Sequence, residues 1–213
     1  MKANTRYTNC FISLVTAGLL ATSVSQAATV PGSIFDFTAD ATENVFSGTS
    51  KGWRDPAFGD MGWTHSSDWG TFSAQEGQTV TIKMVAADAG IHPGVTVWFR
   101  GDEDTAPDEY VVDHFYPQNA DFVKVGVADE STGAELGNIV MRHVAHAYDQ
   151  DGNPKRILDM HPKKDAVPGQ LVLKFKAKNT GKYIFVVGGF NPGAGVDNTI
   201  NHDTAVTVTV TSP

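Results

Sequence analysis

Cysteine is almost absent from this sequence of 213 residues, in which Cys10 is the single example. It precedes an apolar stretch, residues 11–24, that is too short to span a bilayer comfortably and is typical of a secretory signal. Because the small residues Ser25 and Ala27 precede a plausible cleavage point, we expect residues 1–27 to be a signal peptide. Its removal leaves a chain without thiols, which excludes a disulfide framework and a thiolate metal site.

Positive charge is also scarce. The chain carries 16 Lys and Arg against 24 Asp and Glu, and its formal charge is −8. Since Lys2 and Arg6 belong to the expected signal peptide, 14 basic residues remain and the charge becomes −10. Nucleic acid is therefore not an expected partner. Residues 28–213 are enough for one domain with its own core, and we expect a single domain that is secreted, periplasmic or on the outer cell surface.

The sequence lacks the common catalytic motifs. It has no Gly-x-Ser-x-Gly elbow, no phosphate-binding glycine loop and no His-Glu-x-x-His. Its acidic residues cluster in turns such as 102–104, a pattern typical of solvated loops. We therefore expect a binding protein and not an enzyme.

What the sequence does contain is alternation of apolar and polar residues with a period of two. It is clearest in residues 79–84, 171–176 and 206–211 and indicates half-buried β-strands. Further expected strands, each bounded by Gly, Pro, Asn or Asp, are 33–37, 95–99, 110–116, 122–127 and 139–147. No segment shows sustained helical periodicity, so the pattern predicts an all-β protein.

A tyrosine that follows a glycine turn indicates which class of β fold to expect. Tyr183 follows Gly181 at the start of an apolar stretch, and such a tyrosine closes a corner in immunoglobulin-type domains. We expect an immunoglobulin-like β-sandwich, with an ordinary core tyrosine in another β fold as the alternative. Long irregular spans, which are uncommon unless they are functional, are expected at residues 41–67, 100–109, 149–170 and 188–203.

Seven histidines are the main candidates for chemistry, since neutral imidazole is the commonest metal ligand when thiolates are missing. They are His65, His92, His114, His143, His146, His161 and His202. His143 and His146 are three residues apart, a spacing that on a regular strand sends them to opposite faces. That pair is therefore not expected to share an ion.

The motif Trp63-Thr64-His65 is different. In an extended chain Trp63 and His65 project to the same face, close in sequence to Trp69 and to Asp68, whose carboxylate could orient an imidazole. An unmodified indole has no nitrogen lone pair in the ring plane, so Trp63 cannot be an ordinary metal ligand.

With this motif, the acidic thiol-free composition and the β-rich layout, the sequence resembles the methanotroph family of copper-binding surface proteins typified by CorA and the C-terminal part of MopE. The resemblance implies that Trp63 is oxidised to kynurenine, whose arylamine can bind copper, and that His65 is the first imidazole ligand. It implies copper, as Cu(I), as the bound ion, and association with the outer surface.

A second histidine, downstream of the motif, completes the protein ligands in that family. We assign it to His114, which lies in the apolar and aromatic segment 110–116 beside Asp113, with His143 as the alternative. Residues 149–153 place oxygen side chains at alternate positions before a turn, so calcium is a further candidate ion, with a plain Asp-Gly turn as the default interpretation.

Two other functions remain open at this point. One is an adhesion or glycan-binding module in which Trp53, Trp63, Trp69 and Trp98 form an aromatic platform. The other is an exported copper oxidoreductase.

Overall fold

The structure is a computed structural model that describes residues 27–29, 34–49, 68–112, 121–148, 167–190, 196–197 and 199–213. These residues form twelve strands and no helix, which confirms the prediction of an all-β protein. The strands are β1 Ala27–Thr29, β2 Ile34–Phe37, β3 Glu43–Thr49, β4 Asp68–Ala74, β5 Thr79–Ala86, β6 His92–Arg100, β7 Val111–Val112, β8 Phe122–Asp129, β9 Glu135–Tyr148, β10 Gln170–Lys176, β11 Gly181–Phe190 and β12 Asn201–Thr211. In this part of the chain no helix is long and apolar enough to cross a membrane.

The strands form two sheets. The larger sheet has the order β2-β4-β11-β6-β9-β8-β1-β7 and the smaller has the order β10-β5-β12-β3. Apolar side chains from both sheets meet in one inner cluster, which includes Ile82 and Met84 from the smaller sheet and Phe72, Tyr183 and Phe185 from the larger. The molecule is therefore a β-sandwich, as predicted.

The alternating segments lie where the sequence indicates. β5 and β12 pair in antiparallel register over eight residues of each strand, from Thr79 opposite Thr211 to Ala86 opposite Thr204. This register places Val80, Ile82 and Met84 in the inner cluster and the intervening threonines and lysine outside it.

Two of the expected long loops are wrong in extent. The span 41–67 contains the strand β3, which pairs with β12. The span 188–203 is shorter than predicted, because β11 continues to Phe190 and β12 begins at Asn201. The sequence did not predict β3, because Phe46 is its one described side chain in the inner cluster and apolar and polar residues do not alternate along the strand. The span 100–109 does hold turns, and of the expected strand 110–116 the described part is β7.

The predicted tyrosine corner is confirmed. The hydroxyl of Tyr183 donates a hydrogen bond of 2.7 Å to the carbonyl oxygen of Asn179, four residues earlier. The ring is fully buried and stacks on Phe72, with the centroids 5.2 Å apart. The corner thus fixes the start of β11, the strand that runs between β4 and β6.

The larger sheet is buried on both of its faces. Successive residues of β11 point alternately inward, as Tyr183 and Phe185 do, and outward, as Ile184 and Val186 do, and all four are buried. The outward side chains belong to a second apolar cluster, here called the outer cluster, formed by Trp69, Trp98, Ala106, Val111, Phe122, Val127, Ile139, Met141, Ile184 and Val186. It brings the turn region 101–110 against the sheet.

Arg100, at the end of β6, holds the turn region 101–110 in place through hydrogen bonds. Its buried guanidinium forms two hydrogen bonds of 2.7 Å with the carboxylate of Asp104. It also donates to the carbonyl oxygens of Asp108 at 2.9 Å and Tyr110 at 3.0 Å. A buried charge that is paired and forms four hydrogen bonds holds its surroundings in one geometry, so the chain reaches β7 along a fixed route.

Candidate metal centre

The three predicted copper ligands, Trp63, His65 and His114, lie outside the described residues. The predicted calcium segment 149–153 lies outside them as well, and calcium binding stays a prediction. The structure does describe the chain from residue 68, three residues after His65, and up to residue 112, two residues before His114, as well as the side chains of His143, His146 and His202.

Both of these flanking segments lead to the outer cluster. Trp69, four residues after His65, is 3% exposed and stacks on Trp98, with the ring centroids 6.0 Å apart. Val111, three residues before His114, is a member of the same cluster. Described residues that flank the two predicted ligand segments therefore belong to one aromatic and apolar cluster.

Burial of two tryptophans corrects the aromatic-platform hypothesis. Trp69 is 3% exposed and Trp98 is fully buried, so neither can stack on a glycan at the surface. Trp53 and Trp63 lie outside the described residues. A platform of four tryptophans is therefore wrong, and the two described indoles are part of a core.

Asp68, the first residue of β4, has an unusual environment for a carboxylate. Burial raises the pKa of its side chain from 3.8 to about 6, because a partly desolvated site disfavours the charged form. It stands three residues after His65, which keeps it a candidate for orienting that imidazole, as the sequence suggests.

His143 and His146 contradict the expectation that they point to opposite faces. In the pairing of β6 with β9, Val97 lies opposite Ala145 and Trp98 lies opposite His143, so Val144 is an extra residue without a partner. This is a β-bulge, and one extra residue changes the face of every side chain beyond it. Both imidazoles therefore lie on the outer face of the larger sheet.

The two rings are in direct contact. His143 Nε2 and His146 Nδ1 are 3.0 Å apart, and the ring centroids are 5.1 Å apart. Both side chains are half-buried. Burial, followed by the charge of His146, lowers the pKa of His143 below its ordinary value, while Asp121 acts in the opposite direction. Burial thus favours the neutral form of His143, the form in which histidine binds metals.

Two polar neighbours border the pair. The carboxylate of Asp121 accepts a hydrogen bond of 2.7 Å from the backbone N–H of His143, and its other oxygen lies 3.7 Å from Arg142. Thr96 lies opposite His146 in the sheet, and its buried hydroxyl has no hydrogen-bond partner among the described residues. The sequence carries no signal for either neighbour, because both depend on the strand register.

The pair does not amount to a complete metal site by itself. The described residues contain no group of three or more His, Cys, Asp or Glu side chains that could hold an ion. His202, the remaining histidine with a described side chain, stands apart and has its Nε2 2.6 Å from the carbonyl oxygen of Asp197.

A β-sandwich with a buried aromatic cluster and a pair of facing imidazoles has the donor chemistry of a metal-binding domain. The chain belongs to the CorA-like copper(I)-binding proteins, whose family model matches residues 25–197. Binding of copper is therefore the property that defines its family. A comparison with curated proteins found no match to the chain.

Two solved structures extend this comparison. The chain is similar to CorA of Methylomicrobium album BG8, a surface-associated copper-binding protein important in copper acquisition, with 28% identity and a TM-score of 0.73 over 87% of this chain and 100% of that one. It shares its fold with the secreted protein MopE of Methylococcus capsulatus, in which an oxidised tryptophan facilitates copper binding, with 15% identity and a TM-score of 0.55 over 88% of this chain and 100% of that one.

Proposed function

We propose that this protein is exported and binds copper at the cell surface for acquisition or sequestration, without turning over a substrate. Copper is held as Cu(I) by Trp63 in the form of kynurenine, by His65 and by His114. The expected signal peptide, residues 1–27, directs the chain out of the cytoplasm.

The observation that supports this proposal is the shared position of Trp69 and Val111, described residues that flank the two ligand segments, in the outer cluster. An extended chain advances at most about 3.6 Å per residue, so His65 starts within roughly 14 Å of Trp69 and His114 within roughly 11 Å of Val111. Trp69 and Val111 belong to one cluster. Two segments that leave one apolar surface over such short distances can bring their side chains to a common ion.

The described contacts also support a fixed position for β7, which ends two residues before His114. Asp104 accepts hydrogen bonds from Arg100 and, at 2.8 Å, from the backbone N–H of Val140 on β9. These bonds join the turn before β7 to two strands of the larger sheet. A ligand that follows β7 by two residues therefore starts from a rigid base, which lowers the entropy lost when the ion binds.

The donor set suits Cu(I) better than other common ions. Two neutral imidazoles and an arylamine are nitrogen donors of borderline softness, whereas Ca²⁺ and Mg²⁺ require oxygen ligands. A neighbouring aromatic cluster lowers the local dielectric and favours an ion of low charge. Kynurenine is needed because only its arylamine supplies a lone pair at position 63.

The relatives support the role outside the cell. CorA of M. album is surface-associated and important in copper acquisition, and its whole length is covered by this chain. An oxidised tryptophan facilitates copper binding in MopE, which supports oxidation of Trp63 here. The acidic surface adds an electrostatic attraction for cations.

Mass spectrometry of the peptide that contains Trp63, together with elemental analysis, tests this proposal. Mature protein from cells grown with copper should carry the mass of kynurenine at position 63 and retain copper after dialysis. Trp63→Phe and His65→Ala should each lose that copper, while His202→Ala, a matched loss of one imidazole, should keep it. Unmodified Trp63 together with no retained copper would overturn the proposal.

A further inference from the structure

We propose that the outward face of the smaller sheet docks on an anionic membrane surface and binds its phosphate head groups through Lys83, Lys174 and Lys176. These three residues are here called the lysine patch. The inference rests on the proposed function only for export of the chain to a membrane surface, and it is independent of the copper ligands. It describes how the exported protein attaches to that surface.

The lysine patch is fixed by the register of two neighbouring strands. Lys174 and Lys176 alternate with inward side chains of β10, and Lys83 alternates with those of β5, so all three point outward and are exposed. Lys83 lies opposite Val172, which makes Lys174 its diagonal neighbour. Diagonal neighbours are about 7–8 Å apart, and residues two apart on one strand about 7 Å. The register thus holds three lysines at similar spacing on one face.

No described carboxylate neutralises the patch. Among the described residues, the three lysines form no ion pair, whereas Lys182 on the larger sheet is paired with Asp108. The four strands of the smaller sheet carry two carboxylates, Glu43 on β3 and Asp203 on β12. Glu43 is in the row of Lys83 but two strands away, at roughly 10 Å. Because the chain has 24 acidic against 16 basic residues, the patch reverses the charge locally.

Protection of the sheet edge does not account for the whole patch. β10 is an edge strand, and lysines on edge strands prevent pairing with other chains. Lys83, however, lies on β5, which is paired on both sides, with β10 and with β12. Its position diagonal to Lys174 brings like charges together, which costs stability. A bound anion removes that cost.

The composition of this face favours a phosphate surface over a protein partner. Thr79 and Thr81 lie opposite Lys176 and Lys174 and add hydroxyls that can donate to phosphate oxygens. The strands of this sheet present no outward aromatic side chain in the part of the chain that the structure describes, and aromatic anchors dominate protein interfaces. Val172, 51% exposed among the lysines, can enter the head-group region.

A membrane offers repeated phosphates, which suit lysines spread over two strands. Lysine binds phosphate as a point charge, and the attractions of several lysines to an anionic surface add. An array of head groups can therefore engage the whole patch at once, whereas one free phosphate ion offers a single centre. The structure thus favours a membrane surface over a free anion.

Docking through this face orients the molecule. The inward face of the smaller sheet packs on the larger sheet, and the outer cluster lies on the far side of the larger sheet. A membrane bound by the lysine patch therefore leaves the outer face of the larger sheet directed away from it. The acidic remainder of the chain is repelled by an anionic surface, which favours the same orientation.

Co-sedimentation of the mature protein with vesicles of equal parts phosphatidylglycerol and phosphatidylcholine tests the docking surface. Wild type should bind these vesicles, leave them in about 1 M salt, where the screening length is about 3 Å, and ignore pure phosphatidylcholine. Lys83→Gln/Lys174→Gln/Lys176→Gln should lower the affinity about a hundredfold, since each lysine contributes about fivefold. Arginine at the same three positions should preserve binding, and so should Lys182→Gln, which removes one lysine elsewhere.

Four outcomes would overturn the proposal. They are equal binding by wild type and the triple glutamine variant, and failure of wild type to bind the anionic vesicles. Displacement by inorganic phosphate at constant ionic strength would point to a free-anion site instead, and dimers that only the triple glutamine variant loses would point to a second copy of the chain. Copper-free and copper-loaded protein should bind the vesicles alike, so this test is separate from that of the copper ligands.

A measurement on the wild-type protein guards against a variant that fails to fold. Acetic anhydride is added with and without the anionic vesicles, and mass spectrometry measures acetylation at each lysine. The vesicles should lower acetylation of Lys83, Lys174 and Lys176 several-fold and leave Lys182 unchanged. Equal protection of all four lysines, or of none, would contradict docking through this face.

Discussion

At the scale of single residues, Tyr183 shows how one hydroxyl and one ring contribute separately to the fold. The hydroxyl closes the corner on Asn179, and the buried ring packs on Phe72 and Phe99. The two contributions differ in size, because a net hydrogen bond is worth about 1 kcal/mol whereas a buried aromatic ring is worth about 3–5 kcal/mol.

We expect Tyr183→Phe to lower the free energy of unfolding by about 1 kcal/mol, since it removes the hydroxyl and keeps the ring. Tyr183→Ala should lower it by about 3–5 kcal/mol. Urea denaturation of both variants measures the difference. Equal losses in the two variants would show that the corner hydrogen bond, and not the ring, dominates.

Asp68 gives a prediction for pH. Its pKa is about 6 in the folded protein and 3.8 in the reference state, so the folded state binds more protons between these values. Stability is therefore lost as pH rises through this window, and the full cost, at most about 3 kcal/mol, is present above pH 6.

Asp68→Asn removes the buried charge and should stabilise the metal-free protein at pH 7 by about 1–3 kcal/mol, with little effect near pH 4. Asp203→Asn, at an exposed position on β12, serves as the control and should change little. Urea denaturation at both pH values measures the effect. A variant that is destabilised equally at pH 4 and pH 7 would contradict the assignment of the cost to the buried charge.

At the scale of elements, the pairing of β8 with β9 depends on two glycines with positive φ. Gly137 has a φ of 101°, and a Cβ there would lie 2.6 Å from the side-chain oxygen of Thr105. Gly126 has a φ of 63°, and a Cβ there would meet nothing within 4 Å. The two positions share the backbone strain but differ in available space.

Gly137→Ala should therefore cost about 3 kcal/mol of stability, since strain and overpacking add, whereas Gly126→Ala should cost about 1 kcal/mol. Thermal or urea denaturation of the matched pair measures the difference. Equal costs would mean that the turn region around Thr105 yields to the added methyl group.

The sequence predicted strands best where one face of a strand is buried. The strand β5 could be predicted directly from the sequence, because its apolar residues Val80, Ile82 and Met84 alternate with polar ones. The sequence did not predict β4. Residues on both faces of this strand, Trp69, Gly70, Thr71 and Phe72, are buried, so apolar and polar residues do not alternate along it. The bulge at Val144 could not be predicted from the sequence, because the pairing of β6 with β9 determines it and no local residue pattern marks it.

At the scale of the whole molecule, the larger sheet serves two cores. Its inner face packs on the smaller sheet, and its outer face carries the outer cluster. This second core explains how a domain without disulfides can support long irregular spans, since apolar burial replaces covalent closure. For the candidate site, the motif residues could be predicted from the sequence, whereas the shared cluster of Trp69 and Val111 became evident only from the fold.

Bound copper should also stabilise the whole domain. A ligand that binds only the folded state adds about 2.7 kcal/mol at a concentration one hundred times its Kd. Cu(I) should thus raise the melting temperature of the wild-type protein by several degrees, as measured by differential scanning calorimetry under anaerobic conditions. The increase should be much smaller for His65→Ala, and an equal increase in both proteins would point to binding elsewhere.

The most direct test of copper binding at the Trp63-Thr64-His65 motif is the copper content of mature protein after dialysis against a Cu(I) chelator, measured by elemental analysis for wild type and His65→Ala. The proposed site predicts that wild type keeps its tightly bound copper and that His65→Ala loses it. Copper retained equally by both proteins would contradict a site built on this motif.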